Sequence, residues 1–136
     1  MTQVALVEST QKWTAYTPTL VGFGTATVLV ASYRRNGSSI EVQFKFNSGT
    51  STAVIASVSL PSGLSAGALL TSRQAVGAYN NSNQVSATGT IMAIAAATSI
   101  TFASFGNSNT SEIGSGLVVN TQNVNGSFSM AIAEWA

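Results

Sequence analysis

The sequence predicts an all-β fold, an antiparallel β-sandwich of about eight strands with a jelly-roll-like arrangement. Two observations support this prediction. Apolar residues recur with a period of two, and short segments rich in β-branched and aromatic residues are separated by Gly, Pro and Asn turns. No segment shows the apolar spacing of an amphipathic helix, although residues 91–98 are ambiguous because alanine favours helix.

A hairpin near the start of the domain is the clearest predicted element. Residues 40–46 alternate apolar and polar side chains, which indicates a half-buried strand. Residues 25–35 are rich in β-branched and aromatic side chains and are predicted to form the preceding strand. Asn36-Gly37 lies between the two segments and is the favoured pair for a type I′ turn.

Further strands are predicted at fairly regular spacing, over residues 53–60, 72–79, 84–95, 99–105, 117–120 and 127–135. Gly89 interrupts the third of these segments and predicts a β-bulge. In the last segment, Phe128, Met130 and Ile132 are expected on one face. Residues 1–12 precede the first turn signals, so they are predicted to form an N-terminal arm, with one domain over residues 13–136.

The composition argues against an enzyme. The chain contains no His, Cys or Asp, and these residues supply most acid-base catalysis, nucleophile activation and metal binding. Its four glutamates share no sequence motif, whereas a glycoside hydrolase needs two suitably spaced carboxylates. The serines have no histidine to activate them. We therefore expect no catalytic residue, no cofactor and no metal site.

Charge and hydropathy restrict the possible partners. Only 7% of the residues are charged and the net charge is +1, so little electrostatic repulsion opposes self-assembly. Arg34-Arg35 is the one adjacent basic pair, and neighbours in a strand point to opposite faces, so no nucleic-acid partner is expected. The first residues lack the features of a secretion signal, and no apolar run is long enough for a membrane helix. No membrane insertion is expected.

Aromatic and arm residues are the candidate contact groups. Trp13 and Tyr16 precede a Thr-Pro-Thr turn and are expected to pack on a sheet edge. Tyr79 is followed by two asparagines, a combination that suits carbohydrate, although core or interface packing is favoured for the aromatic side chains. The predicted partner-binding residues are Val4, Leu6, Trp13, Tyr16, Tyr79, Asn80 and Asn81.

Four motifs occur in order: Trp13-Thr14-Ala15-Tyr16-Thr17-Pro18, Gly22-Phe23-Gly24-Thr25, Tyr33-Arg34-Arg35-Asn36-Gly37 and Leu60-Pro61-Ser62-Gly63-Leu64. In this order and spacing they resemble a domain that recurs in tailed-bacteriophage virion proteins, both in tail-fibre tips and in small virion-surface proteins. The resemblance covers roughly residues 13–64, and the closing segment 127–135 fits it as well.

The resemblance implies a compact β-sandwich or jelly-roll head that assembles as a homotrimer on the outer surface of a phage particle. The domain is expected to begin near Trp13, which leaves no room for a fibre shaft. A capsid decoration (cement) protein that binds the major capsid protein or other virion subunits is therefore favoured, with the arm as its attachment. The alternative is a receptor-binding fibre tip that contacts host glycan or protein through loops at 80–83 and 107–111.

Overall fold

The computed structural model describes residues 12–67, 73–81, 88–104, 114–117 and 122–136. Within them the chain forms β1 Thr14–Ala15, β2 Leu20–Val21, β3 Thr27–Asn36, β4 Ser39–Asn47, β5 Ser57–Ser59, β6 Arg73–Asn81, β7 Thr88–Ile94, β8 Ser99–Ser104 and β9 Asn123–Ala131. A four-residue helix, α1 Gly114–Leu117, precedes β9, and a 3-10 turn, Ala133–Trp135, follows it. The prediction of an all-β chain is confirmed.

All nine strands belong to one antiparallel sheet, which is curled, in the order β1-β3-β4-β9-β6-β7-β8-β5-β2. The antiparallel part of the prediction is confirmed, whereas a division into two sheets is not observed among the described residues. The strand nearest the C-terminus, β9, lies in the middle of the sheet and pairs with both β4 and β6.

The predicted hairpin is confirmed as β3 and β4, but its turn lies one residue later than expected. Asn36 pairs with Ser39, so Gly37 and Ser38 form the two-residue loop. Gly37 has a φ of 64°, whereas Asn36 and Ser38 are not among the residues with positive φ. This pattern fits a type II′ turn, whose first central residue is Gly, rather than type I′.

Several predicted strands are shorter or shifted in the structure. Only Ser57–Ser59 of the 53–60 segment forms a strand, and the ambiguous segment 91–98 is strand as far as Ile94, after which Ala96 turns the chain with a φ of 64°. Leu117 belongs to α1, and residues 118–120 lie outside the described residues. The last strand begins earlier than expected, at Asn123, and ends at Ala131, so the predicted strand is wrong over 133–135, which form the 3-10 turn.

The bulge predicted at Gly89 is wrong. Gly89 pairs regularly with Tyr79 on one side and Ser104 on the other, and the irregularities of register lie at Leu29 and Val76. The reason for a glycine here is space, because a Cβ at position 89 would meet the backbone carbonyl oxygen of Ala103 first and would also lie 2.7 Å from the Tyr79 hydroxyl oxygen. Glycine therefore lets an aromatic ring lie against its backbone.

An aromatic cluster fills the inside of the curled sheet. Phe23 packs edge-to-face on Phe46 with ring centroids 4.7 Å apart, and Tyr79 packs on Phe102 at 5.1 Å. Such pairs contribute about 0.5–1.5 kcal/mol beyond the area they bury. The predicted inward face of the last strand is confirmed, since its three apolar residues are buried: Phe128, Met130 and Ile132.

Candidate contact surface

Large apolar side chains are the distinctive exposed groups of the described residues. They are Trp13, Val21, Val28, Leu29, Val30, Val54, Ile55 and Ile94. In the same part of the chain, no cluster of three or more His, Cys, Asp or Glu side chains is placed to hold a metal ion. Nor does that part contain a helix with the length and hydropathy needed to cross a membrane.

Tyr16 connects the two ends of the sheet. Its backbone N–H donates to the carbonyl of Ala31 in β3 at 3.0 Å, and its hydroxyl donates to the carbonyl of Ser59 in β5, also at 3.0 Å. Burial raises the pKa of the Tyr16 hydroxyl well above its ordinary value. Tyr16 was expected to pack on a sheet edge, and the structure places it directly after the edge strand β1, bonded to both β3 and β5.

Trp13 is 41% exposed and is held in place by charged neighbours. The Arg34 guanidinium lies 4.6 Å from the centre of the indole, and its Nε donates to Glu41 Oε1 at 2.6 Å. Hydrogen bonds from the side chains of Arg34, the larger cause, and Asn36 lower the pKa of the Glu41 carboxyl group. The ionised Glu41 fixes Arg34, and Arg34 in turn orients Trp13 at the surface.

A shallow cleft of about 510 Å³ lies beside Trp13, across the outer faces of β4, β9 and β6. Gln43, Ser127 and Ser129 supply amide and hydroxyl groups to its wall, and Gln43 also donates to the Ser32 hydroxyl at 3.0 Å. An exposed indole therefore stands next to small polar side chains. This combination can take a ligand that has both an apolar face and hydroxyl groups.

The second tryptophan is covered by the second arginine. Arg35 lies 4.9 Å from the centre of the Trp135 ring, and its Nε donates to the Gly37 carbonyl at 2.7 Å. Arg34 and Arg35 thus contact different tryptophans, as expected for neighbours in a strand. They do not combine into one basic patch.

Three predicted partner-binding residues lie together in β6, but two of them are inside the fold. Tyr79 is 6% exposed and Asn81 is fully buried, where its Nδ2 donates to Gln122 Oε1 at 2.5 Å. Asn80, between them, is half-buried and lines the outer face of the sheet. Tyr79 and Asn81 therefore offer no surface to a partner. The arm residues Val4 and Leu6 lie outside the described residues.

The start of β3 is an exposed apolar edge that the sequence reasoning missed. Leu29 is 49% exposed, and its neighbours Val28 and Val30 are also exposed. β1 covers only Ser32 and Tyr33 of β3, and within the described residues no other strand pairs with this side of Thr27–Val30. The available signal was the run of three consecutive apolar residues, which breaks the period of two.

A second cleft, of about 610 Å³, lies near the C-terminal end and is lined largely by hydroxyl groups. Glu134 lines it and accepts hydrogen bonds of 2.8 Å from both the backbone N–H and the hydroxyl of Ser65. These bonds lower the pKa of the Glu134 carboxyl group. The carboxylate is thus engaged in fastening the end of the chain to the 61–66 loop.

Comparison with known proteins gives no match to any family model, curated protein or solved structure.

Proposed function

We propose that the chain is a structural protein of a tailed-phage virion: a homotrimeric capsid decoration protein on the outer surface that binds the major capsid protein and stabilises the head shell. The observation that carries the proposal is the exposed apolar edge of β3. Apolar side chains such as Leu29 are exposed on a surface with few charges, as at sites of protein–protein contact. We infer that the particle is a phage virion from the resemblance of residues 13–64 to virion domains.

We also propose that the curled sheet is a two-layered, jelly-roll-like head. β1 and β2 are consecutive in the chain and pair with strands at opposite ends of the sheet. Aromatic side chains from the two halves meet inside, as where Phe44 of β4 packs edge-to-face on Phe102 of β8. A two-layered head requires a segment that runs from one half of the sheet to the other and a core that both halves share.

Binding to phage heads tests the decoration function. Purified protein is added to heads of the phage that encodes it, stripped of decoration protein, and the bound fraction is measured by co-sedimentation in 0.1 M and 1 M NaCl. Saturable occupancy that changes little with salt, together with heads that resist heating better, is expected, because apolar and backbone contacts are weakly screened. Deleting residues 2–12 is expected to lower the occupancy. Absence of binding to these heads would overturn the proposal.

A receptor-binding fibre tip is a second candidate, and the cleft beside Trp13 favours it. An indole face next to Gln43, Ser127 and Ser129 suits a sugar ring, which stacks on the aromatic and bonds to polar groups. Binding of the domain to host cells and to their surface glycans is the measurement. Trp13→Ala is expected to weaken binding at least tenfold, whereas Lys45→Ala, exposed on the same strand as Gln43, should leave it unchanged. If the wild-type domain binds neither cells nor glycans, this candidate is rejected.

A further inference from the structure

The register of β1 against β3 explains why part of β3 is uncovered. Thr14 pairs with Tyr33, Ala15 pairs with Ser32, and the Tyr16 N–H bonds to Ala31. The chain then leaves β3 and joins β5 through β2, where Leu20 pairs with Val58. Thr27–Val30 therefore keeps a free outer edge among the described residues. Backbone groups along a free edge can pair with another strand.

The side chains at this edge do not protect it. Proteins usually block an exposed edge with charged residues or proline, but no charged residue or proline occurs between Thr27 and Tyr33. Instead, three exposed apolar side chains follow one another there, with the register irregularity at Leu29 as the one feature that opposes pairing. An uncharged, apolar edge that no strand covers in the described part of the chain is suited to strand addition.

We propose that this edge binds the N-terminal arm of a second copy of the chain, residues 1–12, as an added β-strand. The inference rests on the homotrimer of the proposed function, and it identifies the contact that holds the trimer together. The pairing segment is 4–7, Val-Ala-Leu-Val, which is uncharged and has the same length as Thr27–Val30, about 13 Å of strand. Each copy gives one arm and receives another, a head-to-tail contact that closes into a ring of three.

The direction of β1 favours a second copy over the same chain. Because β1 is antiparallel to β3, the residues before Thr14 lead toward the Asn36 end of β3 and away from Thr27. To reach its own free edge, the arm would have to reverse and travel back about 23 Å past β1 and Tyr16. The arm of a neighbouring copy needs no such reversal, since eleven residues span up to about 36–40 Å.

Two complementary variants test the exchange. The first lacks residues 2–12 and has an intact edge. The second keeps the arm and carries Leu29→Lys, a change at an exposed position that adds a charge to the edge. Val54→Lys is the matched control, because Val54 is apolar and similarly exposed but lies outside β3. The mass of each protein in solution is measured by sedimentation equilibrium, and its folding by circular dichroism.

We expect wild type and Val54→Lys to be trimers, and each of the two test variants to be a folded monomer. Mixed together, the two test variants should associate, because one supplies an arm and the other a free edge. A synthetic peptide of residues 1–12 should bind the arm-deleted protein, and at least tenfold more weakly when that protein also carries Leu29→Lys. A monomeric wild type, a trimer that persists without the arm or with Leu29→Lys, or no association of the mixed variants would overturn the inference.

These assays contain no capsid, so the two proposals can fail separately. Arm exchange without head binding rejects the decoration function alone. Head binding by a trimer that shows no arm exchange rejects the inference alone, whereas a monomeric wild type that still binds heads rejects both the inference and the homotrimer of the proposed function.

Discussion

The Tyr16 hydroxyl donates a 3.0 Å hydrogen bond to the carbonyl of Ser59, 43 positions further along the chain, and so joins one end of the sheet to the other. The same residue is bound to β3 through its backbone N–H. Tyr16 therefore helps to hold the curl of the sheet closed at this point, together with the hydrogen bonds between Thr19 and Ser59. The bond is partly shielded from water, which makes its loss costly.

Tyr16→Phe is expected to lower the free energy of unfolding by about 1–2 kcal/mol, because the Ser59 carbonyl loses its donor while the ring packing is kept. Urea unfolding followed by circular dichroism measures the change. Tyr33→Phe is the control, since Tyr33 packs its ring against Tyr16 at 5.8 Å and should tolerate loss of its hydroxyl within about 0.5 kcal/mol. Equal stability of Tyr16→Phe and wild type would contradict the role assigned to the bond.

Gly89→Ala is expected to destabilise the fold by about 1–3 kcal/mol, because the added methyl group meets the Tyr79 ring and the backbone of Ala103. Thermal unfolding measures the loss. Ser129→Ala lies on the exposed face of β9 and should change stability by less than about 0.5 kcal/mol. If both variants have the melting temperature of wild type, the fold does not require the space that a glycine leaves at position 89.

Asn81→Ala is expected to cost about 1–3 kcal/mol, because the buried amide of Asn81 donates to Gln122, whose backbone N–H in turn donates to the Ser48 hydroxyl at 3.1 Å. Urea unfolding again provides the measurement. Asn80→Ala removes the same side chain from the outer face one position away and should cost less. An equal loss for the two variants would show that burial of Asn81 is not the cause.

Acid is expected to destabilise the protein through Glu134 and Glu41, whose carboxyl pKa values are lowered by their hydrogen bonds. A carboxyl group with a lower pKa in the folded than in the unfolded state stabilises the fold above its ordinary pKa, here 4.5, and this contribution is lost as the pH falls through the folded-state value. The melting temperature should therefore be nearly constant from about pH 6 to pH 8, where no histidine titrates, and should fall below about pH 4.5.

The double variant Glu41→Gln/Glu134→Gln isolates this effect, because it removes both carboxyl groups and keeps the size of each side chain. Its melting temperature should fall less than that of wild type between pH 7 and pH 3. An unchanged acid dependence would assign the effect to other groups.

The sequence predicted local structure well wherever one face of a strand is buried. The alternation from Ile40 to Phe46 fixed β4, and the inward side chains of β9 were identified from the same rule. The type of turn at Gly37 was not predicted correctly. Asn36-Gly37 and Gly37-Ser38 are both acceptable two-residue loops, and the register of the flanking strands decides between them. Strand order depends on pairings far apart in sequence, which periodicity does not encode.

The candidate contact residues were predicted less well for a related reason. Trp13 and Tyr79 are both aromatic residues near polar neighbours, yet one is exposed and the other is in the core. Tyr79 is buried because it lies on the inward face of β6 and packs on Phe102, and Gly89 on the next strand, ten positions further along the chain, leaves room for its ring. The free edge at Thr27 likewise depends on where Tyr16 leaves β3, which no local pattern reports.

The central position of β9 also constrains how the chain folds during synthesis. Asn123–Ala131 fills the space between β4 and β6, although both of those strands leave the ribosome well before it. Until β9 has been synthesised, β4 and β6 each lack one neighbouring strand, and Phe128 cannot pack on the aromatic cluster. Completion of the sheet must therefore wait for β9, and pairing over such long sequence separations is slow. A nascent chain truncated before Asn123 is expected to expose sheet edges that promote aggregation.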